Sequence, residues 1–407
     1  MTAKNTVHKW QFMSRFRRNA FGWRSQPAIK RVKEAVSEIR KVARSNKVLA
    51  AEGAVAFLER VSPALEQVDS SSGAIGTAVN NAVAELVDII ASAPADLKKR
   101  EKWLERIWAA YQDDGIPYIE SLGDFWGELC ASKETASQWA DRLLDGSRMA
   151  WSLDTGLRSF FKGTTNCLSA LLFAERYQEL LDLLEMEPYR MWHYRRYGVK
   201  ALAALGRKDE AIRYAEQDRY LNESPIDVAR VCEEILLSSG MVDEAYRRYG
   251  LLANQTGTYL AWFRAVAKRY PNRNPSAILK DLVALTPGEE GKWFAAAKDA
   301  GLFDEAVALA NRSPCSPQTL TRAARDFAVK NPHFAIEVGM AALRWLVKGY
   351  GYEVTGLDVS EAYSFTMKAA ENAGIAAETH KRIRDLVAAE TSRNRFVNRI
   401  LGPRLGL

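Results

Sequence analysis

Apolar residues along this chain recur at spacings of three and four, and no run of strict alternation competes with them, so the predicted elements are helices. From Ala28 to Asn46 the positions Ile29, Val32, Val36, Ile39 and Val42 form one face, and Lys30, Arg31, Lys33, Arg40, Lys41 and Arg44 occupy the rest. A second helix is predicted over Val48 to Val61, interrupted at Pro63. After the polar stretch Asp69 to Gly73 a helix of small residues runs to about Ala93. Pro94 suits the start of the next, whose stripe includes Leu97, Trp103, Leu104, Ile107, Trp108 and Tyr111. Further helices are predicted over about Tyr118 to Ala131 and Glu134 to Trp151.

Beyond that block the pattern acquires punctuation. Gly206-Arg-Lys-Asp-Glu-Ala211, Gly240-Met-Val-Asp-Glu-Ala245 and Gly301-Leu-Phe-Asp-Glu-Ala306 each follow one apolar helical run and open another. The glycine suits a left-handed residue at a helix end, and Asp-Glu suits the positive start of the next helix. Weaker copies stand at Glu175 to Leu180, Asn272 to Ala277 and Lys330 to Ala335. Successive copies lie about 30 residues apart, a period that predicts an all-α chain built as an α-solenoid of helical hairpins. The expected organisation is a basic, aromatic arm at 1–27, an atypical helical block at 28–151, helical repeats at 164–349 and a C-terminal helical cap with a basic end at 350–407. In the cap, helices are expected at Val359 to Ala373 and Ala376 to about Leu401, after a loop at 349–356 with a short extended piece. Ala211, Ala245 and Ala306 are expected to be buried between helices.

The stretch Leu205-Gly-Arg-Lys-Asp-Glu-Ala-Ile212, with its step to Gly240, resembles the second half of a tetratricopeptide repeat. The resemblance covers roughly residues 165–335. It departs from the family where a large-small Leu-Gly pair is expected, since Gly198-Val199, Cys232-Glu233 and Trp293-Phe294 stand there. The first block is more similar to a looser, HEAT-like hairpin array. Phe21-Gly-Trp-Arg24, Leu65 to Gly73, Tyr118 to Gly127 and Gly349 to Thr355 also resemble a family of uncharacterised bacterial helical proteins. That resemblance implies a bacterial cytoplasmic protein and brings no activity with it. The tetratricopeptide resemblance implies a concave surface lined by the first helix of each hairpin, and hence a binding role.

Charge sharpens this picture. The formal net charge is +7, yet residues 1–50 hold thirteen Lys and Arg against only Glu34 and Glu38. Residues 381–407 are likewise basic, so two basic ends flank an acidic body. Arg15, Arg17, Arg18, Arg24, Lys30 and Arg31 stand among aromatic residues, a composition that fits phosphates and unpaired bases or an acidic protein surface. Of the two, packing against the chain's own acidic body is expected, because the Ala28 to Asn46 helix has a regular apolar face. Residues 1–33 contain no acid, which is also how a mitochondrial transit peptide reads; the continuation into a structural helix favours the cytoplasm. The longest strongly apolar stretch, Ala82 to Ala93, carries Glu85 and Asp88, so no membrane span is expected.

Candidate chemistry adds little. Cys130, Cys167, Cys232 and Cys315 are far apart in apolar contexts and read as buried thiols. Asp113, Asp114, Glu120, Asp124 and Glu128 lack a partnering histidine, and Glu120, Asp124 and Glu128 at i, i+4 and i+8 form one charged stripe on a continuous helix. Tyr189, Trp192, His193, Arg195 and Arg196 crowd aromatics and bases onto one helix and are candidates for gripping a protein partner from the concave face. No phosphate loop, metal set or cofactor motif is present, and no cofactor is expected. The resulting expectation is a non-enzymatic scaffold or adaptor that binds another protein. A nucleic-acid-binding protein using its basic ends is the alternative, and an enzyme with a site assembled from distant repeats a second one.

Overall fold

The computed structural model describes residues 8–152, 160–217, 224–391 and 395–407. Among these residues every regular element is helical and there is no β-strand. Two compact units divide the chain, Met1–Ser224 and Pro225–Leu407, each with its own apolar core.

In the first unit the amphipathic basic helix runs over Ser25–Ala43 and buries Ala28, Ile29, Val32, Ala35, Val36 and Ile39. It packs on Lys47–Leu65 and Ala74–Ala91. Lys47–Leu65 continues past Pro63, where the sequence suggested an interruption, because a proline so near the C-terminal end disturbs only the last turn. Ala74–Ala91 is the one helix among the described residues long and apolar enough to cross a membrane. Here Ile75, Val79, Val83, Leu86 and Ile90 are buried in the core, and Glu85 on the outer face is paired with Arg40. The expected helix over Tyr118 to Ala131 is instead a 3-10 turn, Glu120–Phe125, followed by a short α-helix, Trp126–Cys130. Glu120, Asp124 and Glu128 therefore do not form the single stripe that a continuous helix would give. Lys133–Trp151 and Thr164–Phe173 pack together beyond it, followed by Tyr177–Glu185, Trp192–Ala204 and Lys208–Glu216.

The second unit opens with Pro225–Ser238. The next helix, expected to be continuous to Leu252, is α over Val242–Ala245, π over Tyr246–Gly250 and α again over Leu251–Ala253. Later helices, among them Pro317–Phe327, Pro332–Val347 and Gly356–Asn372, pack on their neighbours in sequence. The loop at 349–355 has no extended piece. The expected final basic helix is two, Ala376–Ala388 and Phe396–Leu405. Glu390 lies between them and accepts the backbone N–H groups of Val397 (3.3 Å) and Asn398 (2.7 Å) at the start of the second.

The repeated phrase has one geometry. Gly206, Gly240 and Gly301 have φ of +79°, +75° and +75°. In each case the N–H of the glycine donates to the carbonyl three residues back, and the next N–H reaches five residues back: Arg207 to Leu202 (2.9 Å), Met241 to Leu236 (3.0 Å), Leu302 to Ala297 (3.0 Å). This pair of bonds closes the helix end. The next carbonyl already accepts the first bond of the following helix, from Ala211, Ala245 and Ala306 at 2.9 Å each, and those three alanines are fully buried. One weaker copy matches: Glu175 adopts the same left-handed conformation at φ +60° without being glycine, with Arg176 donating to Leu171 at 3.0 Å. The sequence reading missed a further copy at Gly374, φ +73°, where Ile375 donates to Ala370 at 3.0 Å and Thr379 takes the alanine's buried place.

Nothing lies within 4 Å of a Cβ built on Gly301, so Gly301→Ala is expected to destabilise by backbone strain alone, about 1 kcal/mol. Ala306→Trp and Ala211→Trp overfill closed sites and are expected to destabilise by a few kcal/mol or more, roughly. Urea unfolding followed by far-ultraviolet circular dichroism measures all three; a tryptophan tolerated at either alanine would contradict the described packing.

Candidate functional site in the N-terminal basic groove

The N-terminal segment is fixed by its aromatic residues. Trp10, Phe12 and Phe16 are buried, and both phenylalanines meet Phe57 edge-on, with centroids at 5.8 and 5.1 Å. The Trp10 ring occupies the space above Gly53, where a Cβ would come within 2.3 Å of it. Backbone bonds complete the attachment. Glu38 accepts the N–H groups of Gln11 (2.7 Å) and Phe12 (3.2 Å), Pro63 accepts that of Asn19 (2.9 Å), and Trp23 accepts that of Asp69 (2.9 Å).

Burying the aromatic side leaves the basic side outward. His8, Lys9, Trp10, Met13, Arg15, Arg17 and Arg60 line a groove of roughly 960 Å³ that has no carboxylate among its lining residues. Arg15 is held at 3.0 Å by Glu34, which also binds Arg31 at 2.6 Å. The Arg31 hydrogen bond, outweighing a smaller opposing effect of burial and helped by the nearby charges of Arg31, Arg15 and Lys30, holds the Glu34 carboxyl below its ordinary range. Lys9, Arg17 and Arg60 have no ion pair among the described residues. Two smaller grooves, of roughly 310 and 400 Å³, adjoin through Arg15 and Glu34 and extend the surface to Arg31, Lys30 and Lys33.

Of the basic residues proposed from sequence, the fold therefore assembles Arg15, Arg17, Lys30 and Arg31 along one surface. Arg18 stands aside, paired with Glu66 at 3.4 Å, and Arg24 lines none of the grooves. Arg60 was missed. It lies on helix Lys47–Leu65, whose carboxylates Glu52 and Glu59 are both bound by Arg106. At the other end of the chain, Arg393 lies outside the described residues, and Arg395 precedes the last helix with φ +39°.

The aromatic and basic helix Trp192–Ala204 is organised differently. Trp192 and Arg195 are buried, so neither presents the partner-facing surface expected of it. Arg195 donates to Glu187 (3.4 Å) and to the Tyr214 hydroxyl (2.7 Å), and buried Glu187 also accepts the N–H groups of Tyr189 (2.8 Å) and Met191 (2.9 Å). A buried guanidinium needs such partners, and they come from within the unit. Arg196 binds Asp124, which accepts the Tyr197 hydroxyl at 2.8 Å. Burial, and then the charge of Arg196, lower the pKa of His193. Only Tyr189 is half exposed.

All four cysteines are buried free thiols. Burial pushes Cys130, Cys167 and Cys315 up to about 12, which leaves them neutral at physiological pH. Among the described residues no group of three or more His, Cys, Asp or Glu is placed to hold a metal ion. No protein-family model matches the chain, and no curated protein matches it in sequence.

Phe16→Ala is expected to lower the unfolding free energy by about 3 to 5 kcal/mol, and Arg17→Ala, exposed and unpaired, by no more than about 0.5 kcal/mol. Equal effects in urea titration would show that the aromatic residues do not anchor the segment.

Proposed function

We propose that this chain is a non-enzymatic adaptor whose N-terminal groove takes hold of an acidic segment of another protein. The observation that carries the reading is the concentration of Lys9, Arg15, Arg17 and Arg60 around one concave space with no lining carboxylate. Residues 1–7 bring Lys4 and no acid, so they add no compensating charge. Trp10 and Met13 give the groove an apolar floor, which suits a peptide with apolar side chains between its carboxylates.

Nucleic acid is the less favoured occupant. Stacking on unpaired bases needs open aromatic faces; Trp10, Phe12 and Phe16 are committed to the core, and exposed Trp23 lies outside the groove's lining. The proposed framework is a tetratricopeptide-like α-solenoid over the repeat region, related to the bacterial helical proteins that the sequence resembles. The identical hairpin turns at Gly206, Gly240 and Gly301 support it. A bacterial cytoplasmic setting suits four cysteines held as free thiols.

Fluorescence anisotropy with a labelled Asp/Glu-rich peptide containing leucines, and with single-stranded and duplex DNA of equal charge, tests this. The peptide is expected to bind, to weaken as salt rises from about 50 to about 200 mM, and to lose roughly tenfold in affinity in the Arg17→Ala/Arg60→Ala double variant. Tight DNA binding with no peptide binding would replace the protein partner with nucleic acid. Binding of neither, by a correctly folded chain, would end both readings.

A further inference from the structure

The π turn at Tyr246–Gly250 lies directly against Tyr270. A Cβ on Gly250 would sit 2.8 Å from the ring and hydroxyl of Tyr270. The Tyr270 hydroxyl passes beneath the helix to donate to buried Glu233 at 2.6 Å, and the Asn254 amide joins it, donating to Glu233 at 2.7 Å and to the Gly250 carbonyl at 2.8 Å. An irregular turn of this kind gives up the regular helical ladder, and such turns concentrate at functional sites.

On its outer side the wide turn forms one wall of a groove of roughly 700 Å³, within the size range of small-molecule sites. Tyr246 and Arg247 come from the turn. Arg273 and Asp281 come from the following segment and from helix Pro275–Ala284. Tyr246 donates its hydroxyl to Oδ2 of Asp281 at 2.7 Å, and Oδ1 of Asp281 receives no hydrogen bond from another described residue. The Arg273 guanidinium lies 3.7 Å over the Tyr246 ring and gives Nη2 to Asp243 at 2.8 Å, while its buried Nε has no acceptor. Arg247 has no hydrogen bond or ion pair among the described residues. The groove thus combines two guanidinium groups, the Asp281 carboxylate oriented by a tyrosine, the carboxylates of Asp243 and Glu244 already engaged by Arg273 and Arg248, and apolar surface from Leu251 and Ala284.

We propose that this groove is a binding site for a small zwitterion, an α-amino acid or a short peptide. The ligand's carboxylate pairs with Arg247 and Arg273, its ammonium pairs with Asp281, and its side chain lies against Leu251 and Ala284. Neither half suffices alone, because the groove carries both signs of charge. The proposal is independent of the N-terminal groove.

Calorimetric titration of the full chain with pooled L-amino acids, and separately with pooled dipeptides, tests it and tells the two sources apart. Acetate and ethylammonium serve as half-ligands. One pool is expected to bind, and neither half-ligand to do so. Arg247→Gln, at an exposed residue without a described partner, and Asp281→Asn are each expected to weaken binding by roughly tenfold or more. The Arg17→Ala/Arg60→Ala variant is expected to leave it unchanged. No heat from either pool, binding unaltered in Arg247→Gln, or acetate binding as tightly as the pool would each overturn the proposal.

Discussion

The hairpins that turn at Glu175, Gly206, Gly240, Gly301 and Gly374 each depend on that single residue being left-handed at the end of a helix. With that residue in place, two backbone bonds close the outgoing helix, and the very next carbonyl starts the incoming one. The reversal takes so few residues that the fifth position after the turn is driven against the helix just completed. That position must then be small or closely fitted: alanine at 211, 245 and 306, Leu180 after Glu175 and Thr379 after Gly374. The N-cap residues Arg207, Met241 and Leu302 make no side-chain cap. The backbone turn therefore does the work usually given to serine, threonine or aspartate, and the identity of the cap side chain is left open.

The same economy shapes the N-terminal surface. Three aromatic side chains hold the segment, each buried on a site already formed by helix Lys47–Leu65. Because hydrophobic anchoring is nondirectional and strong, and exposed ion pairs contribute little, the arginines are free of structural duty. What they face is decided elsewhere, by Arg106 drawing Glu52 and Glu59 away from Arg60 and by Glu34 serving Arg15 and Arg31 together. The surface charge follows from which carboxylates are already engaged.

The helices and the hairpin turns were legible in the sequence because both are local: apolar spacing sets the first, and a Gly followed by Asp-Glu sets the second. Glu175 was legible only through its neighbours, since nothing in a glutamate announces a left-handed backbone, and Gly374 escaped because its phrase lacks the Asp-Glu pair. Arg15, Arg17, Lys30 and Arg31 were visible as candidates for the groove, and Arg60 was not, because it is the only base after Lys47 on a mostly apolar and acidic helix and joins the groove only when the N-terminal segment packs on it. The aromatic helix at Trp192 misled for the same reason. Arg195 looks like a surface residue until Glu187 and Tyr214 are placed beside it. Nor does local pattern foretell the π turn, whose Gly250 packs against Tyr270 from a different helix end.

That π turn also bears on how the chain tolerates changes in length. It holds one residue more than an α-helix of the same span requires, so deleting a single residue between Tyr246 and Gly250 leaves a continuous α-helix from Val242 to the end of this element. The deletion relieves the bulge and leaves the helix on either side in register, so Leu251 and Asn254 keep their places and the change falls on the turn itself, where Tyr246 and Arg247 line the groove.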